Sequence, residues 1–237
     1  VAALKAWRRS MRARPTTKQM QQLTVLGERV EKLWQFALRR LRIAEAESSR
    51  VIELWGRETP THTPAVTREE IEASLADENG AYRRLRLVMD LWCSMWFWPL
   101  TETGVKPPTL QDWIDACTKI LGAETTTRAQ KAKGMDTLVS AMSWEELGEE
   151  ERNDLIFAAA DPVLRVREGH QWIAVAEQVA VRQGFLHWQL DFATVFARGG
   201  FDLQIGNPPW VRPRTDVNAL LAEGDPWWQL AVKPSEV

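Results

Sequence analysis

Apolar residues recur every three or four positions over long stretches of the chain, which predicts amphipathic helices. One such stripe predicts a single helix over residues 17 to about 57. A turn is expected at residues 60–64, because the prolines there cannot continue a helix. A second helix is expected to begin with a capping box at residues 67–70 and to end before Pro99. With so short a link, the two helices should form an antiparallel hairpin over about 17–98.

Shorter helices are predicted after the hairpin. They run from the cap Thr109 to Leu121 with Gly122 as the stop, from a capping box at residues 143–146 to about Ala160, and from about Gly169 to Gln183 with Gly184 as the stop. Residues 1–184 are therefore expected to form a helical region, made of the hairpin and these shorter helices.

The last part of the chain has a different pattern. Short apolar or alternating runs over residues 185–192 and 201–205 are bounded by glycines, as is typical of strands in an α/β sheet. We therefore expect a mostly α protein with a short α/β part at its C-terminal end. The second domain would cover residues 185–237.

Composition indicates a folded chain and gives no global electrostatic signal. At 237 residues and 45% hydrophobic, the chain is long enough to bury the core of one or two ordinary domains. Its 30 Lys and Arg nearly balance 32 Asp and Glu, so any basic surface must be local. No stretch approaches the ~20 apolar residues of a membrane span. The two cysteines fit neither a disulfide framework nor a CxxC metal site. We expect a soluble protein of the reducing cytoplasm, without a membrane partner.

Other residues that attract attention have ordinary structural explanations. The arginines at residues 39–42 and 83–86 are expected on solvated helix faces, with phosphate contacts as the alternative. Trp92 and Trp96 are expected in the core, since they lie on the stripe of the second helix. His187 is expected to be structural. With three histidines, widely separated, no metal site and no nucleophile–base pair is expected.

The tetrapeptide Asn207-Pro208-Pro209-Trp210 is placed for chemistry on an amine. It follows the second predicted strand, at the end where α/β sheets bind ligands. The prolines stiffen the loop and remove two N–H donors, so the loop presents carbonyl oxygens. The side-chain oxygen of Asn207 and the carbonyl of Pro208 would accept the N–H groups of an exocyclic amine and stabilise the positive charge that develops during methyl transfer. Trp210 would stack on the extruded base.

Two arginines follow the motif, and the motif also has a purely structural interpretation. Arg212 and Arg214 stand just beyond it, where they are placed to touch the backbone of a nucleic-acid substrate. In the plainer interpretation the prolines only stop a strand, and Trp210 packs in the core. The predicted strand and Gly206 in front of the motif favour the functional interpretation.

The residues around the motif resemble a known family. The resemblance is carried by Leu186-His187-Trp188-Gln189-Leu190-Asp191-Phe192, Val195-Phe196, Gly200-Phe201-Asp202 and Ile205-Gly206-Asn207-Pro208-Pro209-Trp210. They are similar to the segment that leads into the catalytic motif of Eco57I-like restriction-modification adenine methyltransferases, including those of phage-defence systems. Members often carry Pro after the His-Trp pair, where this chain has Gln189.

The resemblance implies a Rossmann-like catalytic domain behind a helical insertion or spacer. It also implies S-adenosylmethionine as cofactor, Asn207 to Trp210 as the amine-binding motif, and double-stranded DNA as the substrate. The remainder of a longer parent chain and other restriction or defence subunits are further expected partners. A cofactor site of this class needs a glycine-rich turn after a first strand, which these residues lack. In the family it precedes the amine motif, so we expect it upstream of Val1 and expect this fragment to be inactive alone.

The sequence is also compatible with other methyl acceptors. The same motif chemistry serves cytosine N4, an RNA base or a protein glutamine amide. The large helical region before the motif favours DNA, since small glutamine methyltransferases have little room for it. A non-catalytic alternative is a helical interaction module in which the motif is a vestige or a strand stop.

Overall fold

The structure of the protein is a computed structural model that describes residues 5–7, 9, 14–48, 66–100, 104–123 and 142–207. Helices make up most of these residues. In chain order they are α1 (Thr17–Ser48), α2 (Arg68–Ala76), α3 (Ala81–Ser94) with a following 3-10 turn (Met95–Phe97), α4 (Leu110–Leu121), α5 (Trp144–Phe157), α6 (Val163–Gly169), α7 (Trp172–Gln183), α8 (Trp188–Asp191) and α9 (Ala193–Phe196). The expectation of a mostly α protein is confirmed. The chain divides into two compact units, Val1–Gly200 and Phe201–Val237. The domain boundary predicted between residues 184 and 185 stays a prediction.

The core of the first unit forms around the pairing of α1 with α3. Buried apolar side chains of both helices meet there, and α4 packs against both, while α7 packs against α3. The pair runs antiparallel, because Arg40 near the end of α1 and the N–H of Ala81 at the start of α3 both donate to Glu151. At the other end, Leu23 and Trp92 line one cavity. The described parts of α1 and α3 therefore pack antiparallel. The hairpin over about 17–98 stays a prediction, and the turn predicted at residues 60–64 lies outside the described residues.

The second helix of this hairpin is interrupted between α2 and α3. The N–H of Asn79 donates to Asp77 Oδ1, and the N–H of Gly80 donates to the Asp77 carbonyl, both at 3.0 Å. The Asn79 side-chain oxygen in turn accepts the N–H of Val163 at the start of α6. The prediction of one continuous helix up to Pro99 was wrong, because this local turn chemistry outweighs the helical stripe.

Several helix ends lie where local signals predict them. Thr67, Thr109 and Ser143 each accept an N–H three residues ahead, and the acidic side chain at that place accepts the N–H of the cap, so these are capping boxes. Gly122 stops α4 with φ +85°, and Gly184 stops α7 with φ +63°, conformations that suit glycine. The short helix α6 was not predicted.

The strands predicted for residues 185–192 and 201–205 are not found in the described structure. In the first run the carboxylate of Asp191 accepts the backbone N–H of His187 at 2.9 Å, which closes a helical turn where extended chain was expected. The second run, described up to residue 207, has exposed side chains and no regular secondary structure.

Some arginines expected on solvated faces lie inside the core instead. Arg40 is 9% exposed and Arg84 is 3% exposed. Burial lowers the pKa of Arg84. The fully buried Arg29, which no pattern singled out, donates to Asp154 at 2.6 Å and to the Leu121 carbonyl at 2.8 Å. A buried guanidinium needs such acceptors, since removing it from water without them is very unfavourable.

Candidate functional site

Asn207 is the predicted site residue that the structure describes. It is exposed and belongs to the second compact unit. The other predicted site residues lie outside the described residues; they are Pro208, Pro209, Trp210, Arg212 and Arg214. Their roles in binding the amine, stacking on the base and touching the substrate backbone stay predictions.

The chain segment that precedes the motif is tied to α3 by five polar side chains, the anchor cluster: Tyr82, Arg86, Asp90, His187 and Asp191. Asp191 Oδ1 accepts the hydroxyl of Tyr82 and an N–H of Arg86, each at 2.9 Å. The Nε2 atom of His187 lies 2.7 Å from Oδ1 of Asp90. His187 is 4% exposed, which agrees with the structural role expected for it.

The surroundings of Tyr82 and Arg86 keep these two donors of the anchor cluster protonated. Burial raises the pKa of Tyr82, and the hydrogen bond and negative charge of Asp191 raise it further. Burial alone would lower the pKa of Arg86, but the charge of Asp191 and the hydrogen bond with Tyr82 outweigh that effect and raise it. Both groups therefore donate to Asp191 throughout the neutral pH range.

Apolar burial and one further hydrogen bond complete the attachment of α8 and α9. Leu190 is 1% exposed and Ala193 is fully buried. The indole N–H of Trp34 in α1 donates to the carbonyl of Gln189 at 2.9 Å. Gln189 is the second residue of α8, so its N–H has no partner within the helix, and a Pro would fit at this position without losing a helical bond.

The first compact unit ends in a hydrogen-bonded turn after α9. Gly199 and Gly200 have φ of +102° and +109°, which side chains rarely adopt. The N–H of Gly200 donates to the carbonyl of Val195 at 3.1 Å, so the turn is closed by backbone bonds. Phe201 begins the second compact unit directly after it.

Among the depressions in the described part of the chain, three are lined in part by the anchor cluster, and two of these also adjoin α3. A polar one of about 270 Å³ is lined in part by Arg86 and Asp90. A larger and mostly apolar one, of about 960 Å³, has His187 on its wall together with Trp92 and Trp113. The two indole rings meet edge to face, with centroids 5.3 Å apart.

Trp92 and Trp96, which were predicted to lie in the protein core, lie at the edge of the core instead. Trp92 is 43% exposed and Trp96 is 57% exposed, so this prediction was wrong. The fully buried residue beside them is Leu91. After α3 the chain tightens into a 3-10 turn, and Met95, 4% exposed, lies four residues after Leu91 and continues the inward face.

The anchor cluster was missed at the level of sequence, although a signal for it exists. Tyr82, Arg86 and Asp90 follow one another at steps of four along α3, so their side chains share one face of the helix. A polar column of this kind beside an apolar stripe indicates a polar contact with another element. Its partners, His187 and Asp191, are separated from it by 97 to 109 residues.

The described residues do not form a site of the kind expected for S-adenosylmethionine. They contain no strand followed by a glycine-rich turn. In the same ranges no three His, Cys, Asp or Glu side chains are grouped to hold a metal ion. The helices of those ranges include none that is both long and apolar enough to cross a bilayer.

Comparison with known proteins assigns a family. No curated protein and no solved structure matches the chain. A family model described as Eco57I restriction-modification methylase matches residues 81–225, which is more than half of the 237 residues. The match covers both α3 with its anchor cluster and the motif at residues 207–210. The chain therefore belongs to the Eco57I restriction-modification methylase family.

Proposed function

We propose that the protein is a DNA methyltransferase that transfers a methyl group from S-adenosylmethionine to adenine N6 in double-stranded DNA, within a restriction-modification or phage-defence system. The family match over residues 81–225 carries this proposal, because it includes the motif whose residue types suit an amine acceptor. No described residue is assigned to the methyl donor.

The motif would act on the acceptor amine. The lone pair of an exocyclic amine on adenine is delocalised into the ring, so the nitrogen is a weak nucleophile. The side-chain oxygen of Asn207 and the carbonyl of Pro208 would accept its two N–H groups and stabilise the positive charge that builds up on it. Trp210 would stack on the extruded base, a contact worth about 1 to 3 kcal/mol. Arg212 and Arg214 would hold the adjoining phosphates.

Incubation of the full-length protein with labelled S-adenosylmethionine and plasmid DNA tests the proposal. After digestion of the DNA to nucleosides, we expect the label on N6-methyl-2′-deoxyadenosine. Label on cytosine N4, on RNA or on a protein glutamine would show that this group, and not adenine N6, is the methyl acceptor. No label on any of these substrates would overturn the assignment and leave the non-catalytic helical module.

Asn207→Ala is expected to abolish methyl transfer without unfolding the protein. The side chain is exposed, so its removal leaves no cavity, while the acceptor amine loses one of its hydrogen-bond acceptors. Loss of one such group costs about 10²- to 10³-fold in kcat at comparable sites. Gln204→Ala is the matched control, since it removes an exposed amide from the same segment and should leave kcat unchanged. Equal activity of the two variants would reject the role of Asn207.

A further inference from the structure

A mostly apolar cavity of about 960 Å³ opens between α1, α3 and the start of α4. It is called the aromatic cavity below, after Trp92 and Trp113 on its wall. Small-molecule sites in proteins have volumes of about 300–1,000 Å³ and mostly apolar walls with a few polar groups, and this cavity has both properties. Its described lining lies within the first compact unit, and the proposed methyl transfer assigns it no role.

Contacts between helices hold the walls of the aromatic cavity in place. The side chains of Gln19 in α1 and Gln111 in α4 are joined by a hydrogen bond of 3.2 Å. Trp92 of α3 and Trp113 of α4 meet edge to face, with 5.3 Å between their ring centroids. Because these side chains are already ordered, a ligand would lose little free energy in arranging them.

One charged side chain on the described wall has no counter-ion. Arg14 is exposed, and within the described part of the chain no hydrogen bond or ion pair engages its guanidinium. Of the other ionisable groups there, His187 is bonded to Asp90 at 2.7 Å, and burial and the charge of Asp90 raise the pKa of Cys93. The described lining includes no Asp or Glu, so the charge that would complement this wall is negative.

The wall also offers an aromatic surface that the protein leaves in contact with water. Trp92 is 43% exposed, although it lies on the apolar stripe of its helix. A planar ring beside it would bury this surface and would meet an indole, as Trp113 already does from the other helix. Leu23 and Met89 continue the apolar lining beside the two indoles.

We propose that the aromatic cavity binds a small aromatic organic anion, with its ring against Trp92 and its acidic group on the guanidinium of Arg14. The planar guanidinium presents paired N–H donors that match two oxygens of such a group. The apolar body supplies most of the affinity, because an ion pair in contact with water contributes little. The charge instead selects among ligands of similar shape. This binding does not depend on whether the protein methylates DNA.

Isothermal titration calorimetry of the full-length protein with 2-naphthoate and 2-naphthamide tests the role of charge. The two compounds share one ring system, and the first alone is an anion. We expect each to bind at one site per chain, 2-naphthoate about three- to tenfold more tightly. Arg14→Gln should remove that difference and leave the affinity for 2-naphthamide unchanged. Arg165→Gln is the matched control, since Arg165 is exposed on α6 outside the cavity and should alter neither affinity.

Two tryptophan variants test the role of the ring. Trp92→Ala should weaken the binding of both compounds about tenfold, because it removes the apolar surface that they cover. Trp188→Ala is its control, since Trp188 is 42% exposed, nearly the same as Trp92, but lies on α8 outside the described lining. Equal losses in the two variants would contradict binding in the aromatic cavity.

Alkylation of Cys93 locates the bound compound without any substitution. This thiol is partly exposed and lines the cavity, whereas Cys117 is fully buried. At mildly alkaline pH, 2-naphthoate at ten times its Kd should slow the reaction of Cys93 with iodoacetamide about tenfold, measured by mass spectrometry of the peptide that carries it. The proposal is overturned by the absence of saturable binding, by equal affinity of the wild type for the acid and the amide, or by labelling that 2-naphthoate does not slow.

Discussion

Tyr82 is the single tyrosine of the chain and so reports on the anchor cluster directly. Its raised pKa means that its stabilising contribution is present below the ordinary value near 10 and is lost as the pH rises through the raised value. Asp191→Asn should lower the pKa of Tyr82, because it removes the negative charge, and burial should still hold it above the ordinary value. Tyrosinate absorbance during an alkaline titration measures this shift.

Arg86 provides a control of opposite sign. Its positive charge and hydrogen bond lower the pKa of Tyr82, so Arg86→Gln should raise that pKa. Shifts in the same direction for both variants would mean that loss of packing, and not charge, governs the titration. No shift in either would show that the contacts in the anchor cluster are not maintained in solution.

A second residue-scale prediction concerns the buried charges of α1 and α5. Asp154 faces both Arg29, at 2.6 Å, and Lys32, and the Asp154 and Arg29 side chains are at most 2% exposed. Asp154→Ala removes the carboxylate while both cations stay in place, so the free energy of unfolding should fall by about 3–5 kcal/mol. Urea denaturation checks this. Glu72→Ala is the contrasting control, because Glu72 pairs with the exposed Arg68 and its loss should change little. Equal losses would contradict the difference in burial.

At the scale of the element, two helix-stopping glycines should respond differently to alanine. At Gly122, φ is +85° and an added Cβ would lie 2.6 Å from the Cβ of Ala158. Gly122→Ala therefore combines backbone strain with a clash and should destabilise by about 2–5 kcal/mol. At Gly184, φ is +63° but nothing lies within 4 Å, so Gly184→Ala should cost only about 1–2 kcal/mol.

Gly27→Ala completes the series, since Gly27 lies inside α1 with nothing within 4 Å of an added Cβ. It should stabilise the protein by about 0.5–1 kcal/mol. Thermal unfolding of the three variants should give this order. A loss at Gly184 as large as that at Gly122 would show that conformation alone, and not the contact with Ala158, sets the effect.

The same elements show what the sequence can predict. The caps Thr109 and Ser143 and the stop Gly122 were predictable, because each acts within a few residues of itself. The strand predicted at residues 185–192 failed, since a short alternating run also fits a helical turn once Asp191 binds a nearby N–H. The local sequence pattern therefore predicts the end of a helix reliably. It predicts less reliably whether a short apolar run forms a strand or a helical turn.

At the scale of the whole molecule, burial depends on partners that are distant in the chain. Arg29 is paired with Asp154 across 125 residues, and the Tyr82 contact with Asp191 spans 109 residues. A single sequence does not show such pairs, so arginines were expected at the surface and the anchor cluster was missed. The motif predicted at residues 207–210 rests on residue types and a spacing that are local, so a single sequence is enough to suggest it.

Charge balance over the whole chain leads to a prediction about DNA binding. With 30 basic and 32 acidic residues there is no general attraction to DNA, so the salt dependence of the proposed DNA binding is expected to come from a few phosphate contacts. Each contact contributes about 0.9 to the slope of log binding constant against log salt concentration. Replacing both Arg212 and Arg214 by Ala should therefore reduce the slope by about 1.8, measured by fluorescence anisotropy with duplex DNA. Arg165→Ala is the control, since Arg165 is 73% exposed on α6 of the helical unit and should leave the slope unchanged. An equal reduction for Arg165→Ala would place phosphate contacts on the helical unit as well.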